Sequence, residues 1–225
     1  MLTEYHCHIL PGMDDGAADP ETALAMVGMM QAQDVERIAA TPHFYAHREK
    51  SVEDFLRKRQ AACEKIRGKA AVPDIRLGAE VAVEHGISEL PGIERLALEG
   101  TRLILLELPY RPYERWMSEE IYNIAAEYGL KVMLAHIHRY LMYYSKDELE
   151  AVMSSDAVLQ INNEAFASWS ERRLAKRILN EQDSFAFGSD AHDLRKRRPN
   201  WDLLKKKVGA EKIAVSDGLL ERYAI

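Results

Sequence analysis

The 225-residue chain is long enough to bury one sizeable core, and 47% hydrophobic with 29% charged residues is an ordinary globular composition. Its formal net charge of −6 leaves no basic footprint for non-specific contact with a phosphate backbone, which argues against a nucleic-acid partner. No apolar run could span a bilayer, Met1-Leu2-Thr3-Glu4-Tyr5 lacks the pattern of a signal peptide, and two cysteines cannot build a disulfide framework. A cytoplasmic enzyme without membrane insertion is the expectation.

Taken in chain order, a strand near Leu2–His6 leads to a helix over Pro20–Gln31, opened by its proline. A strand near Glu36–Ala40 precedes a helix over Ser51–Arg67, which Ser51 caps in the pattern Ser51-Val52-Glu53-Asp54. Strands near Ile75–Ala79 and Arg102–Leu106 follow, then a helix over Ser118–Tyr128 stopped by Gly129. Strand Lys131–Ala135, helix Lys146–Met153, strand Ala157–Ile161, helix Glu171–Asn180 and strand Ser184–Gly188 continue the alternation. Helices near Trp201–Val208 and Asp217–Tyr223 close the chain. Such alternation implies parallel strands with helical crossovers, and seven units suggest a closed or nearly closed α/β barrel. Nothing in the sequence divides the chain, so residues 1–225 are expected to form a single domain.

The polar residues carry the stronger signal, because they stand at strand ends. His6 and His8 follow the first strand, with Asp14 just beyond, and His43 follows the second. Glu80 ends the third, Glu107 the fourth and His136 the fifth; Asn162 and Asn163 end the sixth; Asp190 and His192 follow the seventh. In a parallel barrel those ends share one face, so the set converges. Strand alternation puts both imidazoles of His6-Cys7-His8 on one side and Cys7 on the other. Carboxylates and imidazoles so crowded are best balanced by divalent cations, and mixed nitrogen and oxygen donors suit Mn, Fe or Zn. His47 and His85 lie beyond the strand ends and read as ordinary surface residues.

Cysteine chemistry is excluded, since neither Cys7 nor Cys63 has the arginine of a Cys-X5-Arg phosphate loop. Cys63 reads as helix core and Cys7 as barrel packing. Phosphate-binding Gly-X4-Gly-Lys and nucleophile-elbow motifs are also missing. The basic run Arg195-Lys196-Arg197-Arg198 is a solvated patch by default, although its position after His192 could bring one arginine to the pocket.

These residues resemble a known family. His6-Cys7-His8-Ile9-Leu10-Pro11-Gly12-Met13-Asp14-Asp15-Gly16-Ala17 is similar to the first motif of the polymerase-and-histidinol-phosphatase (PHP) superfamily. Thr41-Pro42-His43-Phe44, Gly78-Ala79-Glu80-Val81, Leu106-Glu107-Leu108-Pro109, Leu134-Ala135-His136 and Gly188-Ser189-Asp190-Ala191-His192 follow in order. The details resemble most the bacterial PHP-type protein-tyrosine phosphatases of capsule and exopolysaccharide gene clusters. The resemblance implies a distorted (β/α)7 TIM-like barrel of the PHP type with three divalent metals, Mn first among them. It implies one metal held by His6, His8, Glu80 and Asp190, a second by Glu80, Glu107 and His136, and a third by Asp14, His43 and His192. Arg139 and Arg197 match the arginines that bind substrate phosphate. The implied reaction is hydrolysis of a phosphotyrosine protein, a bacterial tyrosine kinase of the polysaccharide pathway, by metal-activated water.

The sequence departs from the family where His136-Ile137-His138-Arg139-Tyr140 replaces the usual His-Pro-Glu-Arg-Tyr. Asp193 and Arg198 replace the usual Asn and Pro. His138 could donate a proton to the leaving group or be purely structural. Two other readings stay open: a small-molecule phosphatase of the same superfamily acting on histidinol phosphate or a nucleotide, and a metal-binding regulatory domain without activity.

Overall fold

Parallel pairing organises the chain. The computed structural model describes residues 2–69 and 74–225, and in it β1 (Leu2–Cys7), β2 (Val35–Ala40) and β4 (Asp74–Leu77) pair in the order β1-β2-β4. A second sheet runs β3-β5-β6-β7-β8-β9, with β3 at His43–Phe44, β5 at Glu80–Ala82, β6 at Leu103–Glu107, β7 at Lys131–Leu134, β8 at Val158–Asn162 and β9 at Phe185–Gly188. All these pairs are parallel.

The nine strands build seven staves, because the second and third staves are each broken. Pro42 has no N–H to continue the ladder after β2. The third strand, expected to run to Ala79, stops at Leu77 and resumes at Glu80. The broken halves still track each other, since Gly78 N–H donates to Ala40 O at 2.9 Å and Glu80 N–H to Pro42 O at 3.0 Å. His43 and Glu80 therefore begin short strands instead of following long ones. At the C-terminal rim β1 meets the end of β9: Asp190 N–H donates to His6 O at 2.7 Å and His8 N–H to Ala191 O at 2.9 Å. The result is the nearly closed barrel expected from the alternation, distorted as the family resemblance implies.

Gly188 makes that closure possible. A Cβ there would lie 2.8 Å from His6 Cβ and 2.9 Å from His6 N. Glu4 locks the same corner as a buried acceptor for Ser189 N–H (2.8 Å), His6 N–H (3.0 Å) and Trp201 Nε1–H (2.8 Å). Burial pushes its carboxyl above the usual carboxylate range, against those hydrogen bonds.

Strand alternation divides the apolar residues. Ile104, Leu106, Val132 and Leu134 join the large core that includes Met117 and Ile124 of the helical layer. Leu103, Leu105, Met133, Ala135, Val158 and Ala186 form a second cluster with Leu219 and Leu220 near the C-terminus.

The helices are α1 (Pro20–Gln31), α2 (Val52–Glu64), α3 (Arg115–Tyr128), α4 (Lys146–Met153), α5 (Trp169–Glu181), α6 (Trp201–Lys205), α7 (Ala210–Asp217) and α8 (Leu219–Arg222). Ser51 caps α2 by accepting from Asp54 N–H at 3.1 Å, as its sequence suggests. Helix α7 was not expected; its Ser216 hydroxyl accepts from Phe187 N–H of β9 at 3.0 Å, a long-range anchor with no local signature. No described helix is long and apolar enough to cross a membrane.

Candidate metal centre and phosphate-binding rim

The strand ends deliver their polar side chains to one point. His6 Nε2 and His8 Nε2 face each other at 3.2 Å. Glu80 Oε2 lies 3.1 Å from the first and 3.3 Å from the second, and Asp190 Oδ1 lies 3.5 and 3.4 Å from them. His136 Nε2 is 2.9 Å from Glu80 Oε1 and 3.4 Å from Glu107 Oε1. His43 Nδ1 approaches Glu80 Oε2 at 3.0 Å, so Glu80 is the shared centre of the cluster. His136 and Asp190 both adopt left-handed backbone conformations, φ 32° and 50°, which are rare outside glycine and concentrate at functional sites.

The donor set fits divalent cations. Glu80 Oε2, Asp190 Oδ1, His43 Nδ1 and His192 Nε2 are buried without a hydrogen-bond partner among the described residues. Buried polar atoms are nearly always paired, so a row of orphaned nitrogens and oxygens facing one another fits metal ligands. Three groupings bring donor atoms within 4.8 Å of one another: His6, His8 and Asp190; His43, Glu80 and Glu107; and His8, Asp15, His43 and His192.

The third grouping changes one expected residue. Asp15 Oδ1 lies 3.4 Å from His192 Nε2 and 3.6 Å from His43 Nε2. The Asp14 carboxylate does not join them. Its Oδ2 lies 2.7 Å from His8 Nδ1 and accepts from His43 backbone N–H at 2.9 Å, while Oδ1 accepts from Gly16 N–H at 2.9 Å. Burial opposes its ionisation, but His8 and these N–H groups lower its pKa to about 2. Asp14 orients a ring, and Asp15 faces the donors. Gly16 allows the turn, because a Cβ there would meet His8 O at 2.2 Å.

A polar chain braces the cluster from behind. Gln160 Oε1 is 3.2 Å from His6 Nδ1 and accepts from His136 N–H at 2.6 Å. Gln160 Nε2 donates to Asn162 Oδ1 at 2.9 Å, and Asn162 Nδ2 to Asp190 Oδ2 at 3.1 Å. Such partners fix ligand orientation. Sequence reading missed Gln160; its signal was one amide inside the apolar run Val158-Leu159-Gln160-Ile161. Asn163, named with Asn162, is buried with its amide unpartnered among the described residues.

Both expected arginines reach the site. Arg139 Nη2 lies 2.6 Å from Asp190 Oδ2 and 3.2 Å from Glu164 Oε1. Arg197 Nη2 lies 3.0 Å from that same Asp190 oxygen, and its Nη1 is 3.5 Å from Asp15 Oδ2. Arg195, Lys196 and Arg198 are exposed. The two guanidinium groups, with Glu80, Glu107, His136 and Asp190, line a cavity of about 670 Å³. Tyr45, Tyr110 and Trp116 form its aromatic walls. His47 and His85, read as ordinary surface residues, also line it: His47 bonds Glu84 at 2.7 Å, and His85 stacks on Trp116 at 3.8 Å. His138 is buried beside a neighbouring hollow instead.

Neither cysteine participates. Both are buried, and burial raises both thiols, Cys7 strongly.

Fold and site together define an α/β barrel with a His, Asp and Glu cluster suited to divalent cations at its C-terminal rim, flanked by two arginines. Residues 2–215 match the family described as capsular polysaccharide synthesis, CpsB/CapC, and the chain belongs to that family. It is 26% identical over 223 residues to the tyrosine-protein phosphatase YwqE of Bacillus subtilis (strain 168), covering 93% of this chain and 86% of that one. Identity to the tyrosine-protein phosphatase CpsB of Streptococcus pneumoniae is 24% over 234 residues, covering 94% and 93%. Among solved structures, one reported for YwqE and CpsB as metal-dependent tyrosine phosphatases superposes with a TM-score of 0.80 at 21% identity, over 100% of this chain and 96% of that one. A histidinol phosphate phosphatase of Lactococcus lactis, complexed with zinc, L-histidinol and phosphate, shares the fold with a TM-score of 0.58 at 14% identity, over 98% and 93%.

Proposed function

We propose that this chain is a metal-dependent protein-tyrosine phosphatase acting in capsular or exopolysaccharide synthesis. The observation that carries the reading is the gathering around Glu80 of eight further donor residues, from five other staves and the loop after the first, beside two arginines. His6, His8, Glu80 and Asp190 would hold one divalent cation, Glu80, Glu107 and His136 a second, and Asp15, His43 and His192 a third. Manganese suits this mixed donor set, with iron or zinc as alternatives. Such cations supply charge for the phosphoryl oxygens and lower the pKa of the attacking water.

The chain's own residues do the rest. Arg139 and Arg197 present planar donors to the phosphoryl group, and their hold strengthens as charge builds on its oxygens. The aromatic walls at Tyr45 and Tyr110 suit an aryl ring. A phenolate leaving group, of conjugate-acid pKa about 10, needs less protonic help than an alkoxide. The expected substrate is a phosphotyrosine protein of the cytoplasm, a tyrosine kinase of the polysaccharide pathway. Residues 1–225 act as one domain in this reading.

The test is phosphate release from a phosphotyrosine peptide, histidinol phosphate and mononucleotides, before and after chelation and with Mn restored. Preference for the peptide, abolished by chelation and recovered with Mn, is expected. Preference for histidinol phosphate or a nucleotide would make the chain a small-molecule phosphatase. Metal binding without turnover of any of them would leave a regulatory domain.

A further inference from the structure

The segment after His136 turns part of its side chains inward and part outward. In the 3-10 helix Ile137–Met142, Ile137, His138 and Tyr140 turn inward and are buried. That leaves Leu141 and Met142 outward, and Met142 is 87% exposed. Tyr143, Tyr110 and Trp169 are exposed as well, Trp169 at 72%. These five are among eight exposed large apolar side chains in the described residues, a concentration unlike ordinary scatter.

The patch continues from the active site. Tyr110 and Arg139 line both the catalytic cavity and a neighbouring hollow of about 360 Å³ walled by His138, Leu141, Met142 and Tyr143. On one side the Tyr110 hydroxyl is 3.4 Å from His136 Nε2; on the other its ring lies 5.3 Å from that of Tyr143. Leu141 also borders the next hollow, with Trp169, Arg173 and Lys176. Among the described residues, Arg173 and Lys176 are exposed and make no ion pair.

We propose that this surface binds the polypeptide flanking the phosphotyrosine, with a large apolar side chain in the Tyr110–Met142–Tyr143 hollow and an acidic residue beyond it facing Arg173 and Lys176. The inference rests on the tyrosine-phosphatase reading and adds the sequence around the phosphate. Aromatic and Met side chains are enriched in the cores of protein interfaces, and exposed Met adapts to varied apolar partners. Because Tyr110 is common to both cavities, a chain leaving the catalytic cavity by this wall meets the hollow next.

The experiment uses metal-loaded full-length enzyme and three substrates: p-nitrophenyl phosphate, a phosphotyrosine peptide with Leu and Glu flanks, and one with Gly and Ser flanks. Wild-type enzyme should favour the Leu/Glu peptide by about ten-fold or more in kcat/KM, the scale of one good apolar anchor. The Leu141→Ser/Met142→Ser and Trp169→Ser variants should lose that preference through KM and leave p-nitrophenyl phosphate turnover unchanged. Arg173→Ser/Lys176→Ser should erase the part due to Glu. Equal wild-type turnover of both peptides overturns the proposal. So does an equal loss on peptide and p-nitrophenyl phosphate, or a drop in oligomer mass by light scattering in the first variant with peptide preference intact, which would make the patch a contact between copies. Wild-type enzyme that hydrolyses p-nitrophenyl phosphate and histidinol phosphate but neither peptide overturns the tyrosine-phosphatase reading itself.

Discussion

Asp14 Oδ2 lies 2.7 Å from His8 Nδ1, so the first of two adjacent aspartates is spent on orienting a neighbouring ring. Its neighbour Asp15 faces His43 and His192. The two carboxylates should therefore fail differently. Asp15→Asn should lower the metal content per chain at saturation. Asp14→Asn should keep the stoichiometry and weaken affinity by roughly 10–100-fold, the usual cost of losing a partner behind a ligand. Elemental analysis and metal titration separate the cases; reversed outcomes would restore Asp14 as a ligand.

Arg139 and Arg197 meet on one oxygen of Asp190, poised at the cavity wall. Changing either to Ala should cost about 2–4 kcal/mol of transition-state stabilisation, by analogy with one oxyanion donor. Arg195→Ala, Lys196→Ala and Arg198→Ala should have little effect on kcat/KM for an aryl phosphate. Equal effects from all five at unchanged metal content would remove the phosphate-binding role.

Thiol chemistry has no place in this site. Cys7→Ser and Cys63→Ser should leave metal dependence and the pH–rate profile of the folded enzyme intact. Buried hydroxyls in place of thiols should cost stability, roughly 1–3 kcal/mol each where the new group is unsatisfied. The check is turnover per metal-loaded folded molecule, and a specific loss of turnover would contradict it.

Gly188→Ala should open the seam between β1 and β9. The added Cβ must displace His6, whose Cβ and N stand 2.8 and 2.9 Å away. Overpacking of this kind costs about 1–3 kcal/mol, so Tm should fall together with metal content. An unchanged Tm with full metal loading would show that the corner can relax without moving His6.

Much of the site was legible because metal donors in a parallel barrel must stand at strand ends, and strand ends are marked by apolar runs. That reading names His6, His8, Glu107, His136, Asp190 and His192, and also His43 and Glu80, which the structure places at the start of short strands; the side chains gather within a few ångström. Arg139 was legible only through family resemblance, since its distance from His136 in sequence does not say where its side chain turns.

The alternation of strands and helices, and with it the face that carries the chemistry, follows from local periodicity and residue type alone. Tertiary structure alone chose between Asp14 and Asp15, identical neighbours whose roles depend on how closely Gly16 lets the loop approach His8. It also split the second and third staves, tied Glu4 to Ser189 and Trp201, and placed Gln160 behind His6. Those contacts join residues more than 150 positions apart, and they exist only after the barrel has closed.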